Sequence, residues 1–271
     1  MINTNIILPT STGIVRVLTN ITAKAGIICL IWASNISAQP TLMMLDDFDG
    51  VQSLPPQPWE IIRFTDRHPP TQYRVIEWDG VVAVEAVADA SMALLARPIQ
   101  IDLEETPVLC WRWRIDKTIK SANMLKKTGD DYAARIYVSF SIPKDELDFF
   151  TVFQLTVARK RFGDHIPDAA INYVWDNKNP VGTQLPNAYT DRTQMLVVKS
   201  GNDDAGKWAE ERRDTLQDFK SLFGDINATP IQLAIATDTD NTGETARAGF
   251  SDLHFVARDS DCQFQPMTIS N

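Results

Sequence analysis

The chain has 271 residues, 44% hydrophobic and 23% charged, a balance ordinary for a globular protein that excludes collagen-like, coiled-coil and disordered chains. With 35 acidic residues against 26 basic ones the net charge is −9, and such a surface repels phosphate backbones, which argues against a nucleic-acid partner. Three cysteines and three histidines exclude a disulfide-rich scaffold and leave little for a multi-histidine metal centre.

No Asp or Glu precedes Asp46. Arg16 and Lys24 stand ahead of the apolar run Ala25-Gly-Ile-Ile-Cys-Leu-Ile-Trp-Ala33, and Ser34-Asn-Ile-Ser-Ala38 supplies small residues before Gln39-Pro40. A basic start, a short apolar core and a small-residue exit form the pattern of a secretory signal peptide. The run is about half of the roughly 20 apolar residues a membrane span needs. The pattern predicts a signal peptide over 1–38, cleavage after Ala38, and an exported protein, periplasmic or at the cell surface, with no membrane span in the mature chain. Cleavage removes Cys29 and leaves Cys110 and Cys262, which either pair in an oxidising compartment or stay as buried thiols.

Beyond residue 38, period-two segments follow one another. They predict strands at Thr41–Phe48, Trp59–Phe64, Tyr73–Trp78, Val81–Ala86, Met92–Leu95, Val108–Ile115, Ala133–Ile142, Thr151–Ala158, Ala170–Trp175, Gln194–Lys199, Ile231–Thr237 and Ala246–Ala257. Trp78-Asp-Gly-Val81 is a hairpin signal, because Asp-Gly tolerates the positive φ of a type I′ turn. Trp208–Phe223 breaks the pattern. Trp208, Arg212, Thr215, Leu216, Phe219 and Phe223 fall on one helical face, with Gly224 as terminator, which predicts an amphipathic surface helix near 208–223. Many short strands and one helix predict an all-β fold, a two-sheet β-sandwich of jelly-roll type, as a single domain over 39–271.

In Trp111-Arg-Trp-Arg114 the tryptophans share one strand face and the arginines the other. Two tryptophans on one face suit a sandwich core. Arg135 and Tyr137 likewise share a face, opposite Ile136 and Val138. If these strands are neighbours, Arg112, Arg114, Arg135 and Tyr137 line one sheet face, with Asp130, Asp131, Asn172 and Asp176 at its rim. Planar polar side chains and aromatic rings are what a sugar needs, so this set is the candidate ligand-binding face, with a polysaccharide or other glycan as partner. The other reading of the same residues is a surface ladder of Arg–Asp ion pairs.

Leu45-Asp-Asp-Phe-Asp-Gly50, with Trp59 beyond it, and the closing Gly249-Phe-Ser-Asp-Leu-His-Phe255 resemble the ends of galactose-binding-like and carbohydrate-binding jelly rolls. The resemblance implies adjacent terminal strands and a structural calcium (Ca2+) held by Asp46, Asp47, Asp49 and Asp252, since calcium takes six to eight oxygens. Asp238-Thr-Asp-Asn-Thr-Gly243 resembles the opening of an EF-hand loop, but Gly249 stands where the bidentate Glu belongs. That leaves a loop calcium site completed from elsewhere, or an Asx-type turn.

A second series covers most of the mature chain: Cys110–Asp116, Gly129–Val138, Ile171–Asn177, Arg192, Val197–Gly201, Trp208 with Glu211 and Arg212, and Ala236–Gly243. It resembles a family of exported bacterial proteins known as domain of unknown function 3047. The resemblance supports fold and compartment and leaves activity open.

No Gly-x-Ser-x-Gly elbow, His-Glu-x-x-His, Walker loop or Gly-x-Gly-x-x-Gly occurs, and His68, His165 and His254 are scattered. Asp130, Asp131, Asp176 and Glu211 could supply a glycosidase pair, and Tyr137 with Arg135 a lyase base and neutraliser, but no local spacing fixes either. The expectation is a non-catalytic glycan- or ligand-binding module, with no catalytic residues assigned. The alternatives are a glycoside hydrolase or polysaccharide lyase, and a cell-envelope interaction protein.

Overall fold

A computed structural model describes residues 57–163 and 166–267. The expected signal peptide, the strand at Thr41–Phe48, His165 and the acids Asp46, Asp47 and Asp49 lie outside the described residues. In chain order the elements are β1 (Glu60–Ile62), β2 (Gln72–Trp78), β3 (Val81–Asp89), β4 (Leu94–Pro98), β5 (Val108–Ile115) and β6 (Arg135–Ser141). Then come α1 (Phe149–Phe162), β7 (Ala169–Asp176), β8 (Gln184–Pro186), β9 (Thr193–Ser200), β10 (Ala209–Asp214), α2 (Thr215–Phe223), β11 (Thr229–Ala236) and β12 (Thr245–Val256).

The strands form two sheets, ordered β1-β4-β11-β6-β7-β9-β8 and β10-β5-β12-β3-β2. Pairing is antiparallel except between β7 and β9. This is the expected all-β jelly-roll sandwich. The Asp-Gly hairpin forms between β2 and β3, with Trp78 opposite Val81 and positive φ at Asp79 (51°) and Gly80 (75°).

Alternation decides which side chains meet between the sheets. Trp111 and Trp113 of β5 point inward, as read, and pack on Tyr173 and Trp175 of β7 with ring centroids 5.4 and 5.7 Å apart. Such pairs contribute about 0.5–1.5 kcal/mol each beyond the area they bury. Ile136, Val138 and Phe140 of β6 join them, and Phe219 of α2 closes that side at 4.4 Å from Phe140.

Two expectations are corrected. Thr151–Ala158 is the middle of α1 and not a strand. Its β-branched residues favour extended backbone, but Asp148 caps the first turn by accepting from the Thr151 amide at 2.9 Å, and Leu155 anchors the inner face. The helix expected at 208–223 starts at Thr215, with Asp214 as its cap. Ala209–Asp214 before it pairs antiparallel with β5, because the open edge of β5 needs a partner for its backbone groups. Gly224 ends the helix as expected, but with φ 90° and ψ −179° it is extended at positive φ and not in the left-handed helical conformation expected of it.

The chain's own tail crosses the outer face of the five-stranded sheet at Arg112 and Cys110. A bulge in β12 between Ser251 and His254 carries Asp252 at φ 55°. Its buried carboxylate pairs with the Nε of Arg112 and accepts from the Gln265 amide at 3.1 Å. Arg112 also donates from Nη2 to the Gln265 carbonyl at 2.9 Å. His254 lies with Nδ1 2.6 Å from the Asp252 carbonyl oxygen, so that nitrogen carries the proton, and its Nε2 accepts from the Gln263 amide at 3.0 Å. Burial holds its pKa below the usual histidine value. Cys110 and Cys262 form a disulfide that fastens the tail to β5.

Candidate functional site

The loops after β3, β5, β7, β9 and β11 gather at one end of the sandwich, where β4, β6 and β12 begin. There the outer face of the seven-stranded sheet carries Arg135 and Tyr137 on β6, with Asn172 of β7 opposite Tyr137. Asp130, Asp131 and Asp176 stand in the adjoining segments. Six of the eight expected ligand-face residues therefore belong to one end of one sheet.

Arg112 and Arg114 do not. They lie on β5 in the other sheet, which pairs with β10 and β12 and never with β6. Arg112 is occupied by Asp252 and the tail. Arg114 pairs with Asp79, donates to the Gly206 carbonyl at 2.9 Å, and sits 4.1 Å from the centre of the Trp78 ring. Both arginines are taken up in ion pairs, though buried for Arg112 and made with a turn residue for Arg114 rather than as a surface ladder, and the shared ligand face is corrected.

Around Arg135 the geometry is dense. The guanidinium pairs through Nη2 with Asp238 and lies with Nη1 4.0 Å from Asp130. It rests 5.2 Å from the Tyr132 ring and 5.3 Å from the Tyr137 ring. Nε and Nη1 of Arg135, Oη of Tyr132 and Oδ1 of Asn172 find no hydrogen-bond partner among the described residues. Burial raises Asp238 well above the usual carboxylate range, with Asp131, Asp130 and Asp240 adding to it and Arg135 opposing. Burial likewise raises Asp130 and Asp240.

Asp131 clips the 238–243 loop in place, accepting from the amides of Asn241 at 3.2 Å and Thr242 at 2.6 Å. Asp131, Asp238 and Asp240 bring one oxygen each within 4.8 Å of one another. With Asp130 alongside, these carboxylates converge as a hard divalent cation would need, although Asp238 is already engaged by Arg135 and the Tyr132 amide and Asp131 by Asn241 and Thr242. Asp252 is remote from it, and both of its oxygens are engaged by Arg112 and Gln265. Asp176 works locally, accepting from the amides of Lys178 at 2.8 Å and Asn179 at 2.6 Å.

The rim holds residues absent from the sequence reading. Asn187 donates to both oxygens of Asp130, at 3.0 and 2.9 Å. Tyr189, 55% exposed, donates its hydroxyl to Oδ1 of Asn241 at 2.6 Å and approaches the Lys127 carbonyl at 3.2 Å. The Lys127 ammonium sits 5.2 Å from its ring. Neighbouring loops enclose a shallow depression of about 500 Å³ lined by Lys117, Thr118, Lys120, Asn177, Lys178, Asn202 and Glu244. Tyr132 and Asp238 carried a signal, an aromatic after paired acids and an acid opening a turn loop. Asn187 and Tyr189 sit in an aperiodic loop and carried none.

A family model described as protein of unknown function (DUF3047) matches residues 57–254. The chain belongs to this family. A comparison with curated proteins returned no match. Among solved structures, the chain is similar to the xyloglucanase domain of NopAA, a type three effector from Sinorhizobium fredii in complex with cellobiose. That likeness has 10% identity and a TM-score of 0.37, covering 74% of this chain and 93% of that one. The native family 12 xyloglucanase from Bacillus licheniformis gives 11% identity and a TM-score of 0.41, covering 77% and 97%. Endoglucanase 3 of Trichoderma harzianum, from family GH12, gives 7% and 0.29, covering 74% and 98%. Likenesses this distant carry no argument about a shared site. Within the described residues of this family member, no helix is long and apolar enough to cross a membrane.

Proposed function

We propose that the chain is an exported, non-catalytic glycan-binding module whose sugar site is the loop-bearing end beside Arg135. One observation carries the reading: Tyr189 presents an exposed aromatic surface while its hydroxyl is held by the loops around a buried acidic cluster. A pinned ring stacks on a pyranose at low entropic cost, and Asn187, Asp240 and Asn241 beside it offer hydrogen bonds to hydroxyls. Export is supported by the signal pattern before Gln39 and by the Cys110–Cys262 disulfide, a bond that persists in oxidising compartments.

The test is a glycan array with the purified secreted form, followed by titration of any hit against Tyr189→Ala. Binding that weakens at least tenfold, about 1.4 kcal/mol, supports the site. Binding to no glycan, or an unchanged affinity in the variant, sinks it. Amino-terminal sequencing of that material should begin at Gln39.

A second reading is a glycoside hydrolase, and Glu211 favours it. Burial pushes this carboxyl up to about 7, although it accepts from the Trp113 indole at 3.1 Å. A hydrogen bond from Lys199 holds nearby Asp204 below its usual range. Carboxyls pushed apart in this way suit an acid and a base at a glycosidic bond. Sugar release from β-glucans that disappears in Glu211→Gln would replace the binding-module reading.

A further inference from the structure

The connection between β6 and β7 holds the largest apolar anomaly on the described surface. Helix α1 turns Leu155 and half-buried Val152 inward, and Arg159 on that side pairs with Asp168 at 2.9 Å. On the opposite side Phe149 is 87% exposed, Phe150 64%, Phe153 57% and Val157 50%. Phe149, Phe153, Val157 and Lys160 follow one another at spacings of four, four and three, so they form a single stripe. A lone exposed phenylalanine needs no explanation, but three with a valine along one helix face mark an interaction surface.

The charges at the two ends of the stripe say what covers it. Exposed Asp145, Glu146 and Asp148 precede the helix, partly offset by Lys144, and exposed Lys160 and Arg161 close it. The face is thus negative at one end, apolar in the middle and positive at the other. Such a pattern complements itself when reversed. We infer that α1 docks against α1 of a second copy of this chain, antiparallel about a two-fold axis at Phe153.

That register places Phe153 on its own counterpart and Phe149 against Val157. It also brings the acidic segment ahead of the helix, Asp145 with Glu146 (whose carboxylate also accepts from Asn227 at 2.7 Å), toward Lys160 and Arg161 of the other copy. Each contact occurs twice, as an isologous interface requires. An anionic lipid surface fits less well, because the acids beside Phe149 and the chain's net charge of −9 both oppose it. The exposed parts of the four apolar side chains offer on the order of 400 Å² per copy. Stable interfaces bury about 800 Å² per partner, so the dimer is weak and concentration-dependent. The stripe shares no residue with the proposed glycan site, and α1 follows the end of β6 opposite to Arg135.

The experiment is sedimentation velocity of the purified secreted form across micromolar to high-micromolar concentrations. The weight-average mass should climb toward twice the monomer. Phe153→Glu, which sets two carboxylates face to face on the axis, should hold the protein monomeric with its melting temperature unchanged. Lys160→Glu should weaken association severalfold, and adding Glu146→Lys to it should restore association. A wild type that stays monomeric throughout overturns the proposal, as does self-association that survives Phe153→Glu. A double exchange no better than Lys160→Glu alone overturns the antiparallel register. Co-sedimentation with phosphatidylethanolamine–phosphatidylglycerol vesicles by a monomeric wild type, lost in Phe153→Glu, would assign the face to lipid instead.

Discussion

Asp252 stands on a bulge of β12 so that its carboxylate meets the guanidinium of Arg112 on the neighbouring strand, both residues almost wholly buried. A regular strand would alternate faces through this position. The extra residue at positive φ turns the carboxylate onto the outer face, where the tail crosses. Arg112 thereby joins a carboxylate and a backbone carbonyl of residue 265, and the pair fastens tail to sheet.

Removing one partner leaves a buried, uncompensated charge. Asp252→Ala should cost about 3–5 kcal/mol, more than Arg112 and Asp252 replaced together by apolar residues of similar volume. Urea unfolding of the two variants measures this, and equal losses would contradict it. Limited proteolysis should also cut the tail of Asp252→Ala first.

Gly249 of β12 carries a second close approach. A Cβ there would come within 2.7 Å of the Trp208 ring and 3.1 Å of the Trp78 ring. Those indoles meet edge to face at 6.2 Å, and Arg247 sits 3.7 Å from the centre of the Trp78 ring. Gly249→Ala should destabilise by roughly 1–3 kcal/mol through overpacking and should perturb tryptophan fluorescence. A neutral substitution would show that Trp208 is free to move aside.

The Glu211 carboxyl sets a pH dependence. Unfolded, it ionises near 4.5, whereas folded it keeps its proton to about 7. Between those values the unfolded chain releases a proton that the folded chain retains, so this group lowers stability as pH rises from 4.5 to about 7. Each pKa unit corresponds to about 1.4 kcal/mol, and discounting for partial solvent access leaves on the order of 2 kcal/mol. Melting curves of Glu211→Gln should be correspondingly flatter over that range, and identical pH profiles for wild type and variant would refute the assignment.

Calcium separates two sets of acids. If Asp131, Asp238 and Asp240 bind it in the folded state only, calcium at 100-fold excess over Kd adds about 2.7 kcal/mol. Melting of chelator-treated protein should then rise on adding millimolar calcium, and Asp240→Asn should abolish the rise. A rise that persists in Asp240→Asn but vanishes in Asp252→Ala would return the ion to the chain ends. No rise in the wild type would remove calcium from the account.

Local pattern made much of the sandwich legible. β5 was readable residue for residue because Trp and Arg alternate across it, and the Asp79-Gly80 turn declared its own hairpin. Partnership between strands was not legible. Arg112 and Arg135 each have the right face, but pairing is non-local, and β5 and β6 entered different sheets. Thr151, Val152, Thr156 and Val157 looked extended because β-branched residues stiffen backbone, while the single cap at Asp148 decides for helix. At the site, Asp238 was visible as the start of a turn loop, yet its partner Arg135 lies 103 residues away.

The disulfide closes a stretch of 152 residues, from the second strand of the five-stranded sheet's spatial order to the tail beyond its third. During synthesis Cys110 emerges long before Cys262 and has no native partner while the intervening strands are made. The bond can therefore form only after the whole of β12 has been made, since Cys262 follows it in the chain. A free Cys110 thiol marks a chain whose tail is not yet bonded to β5, and its disappearance reports the closing of that bond. A thiol-reactive label applied during synthesis could use Cys110 as a built-in clock for assembly.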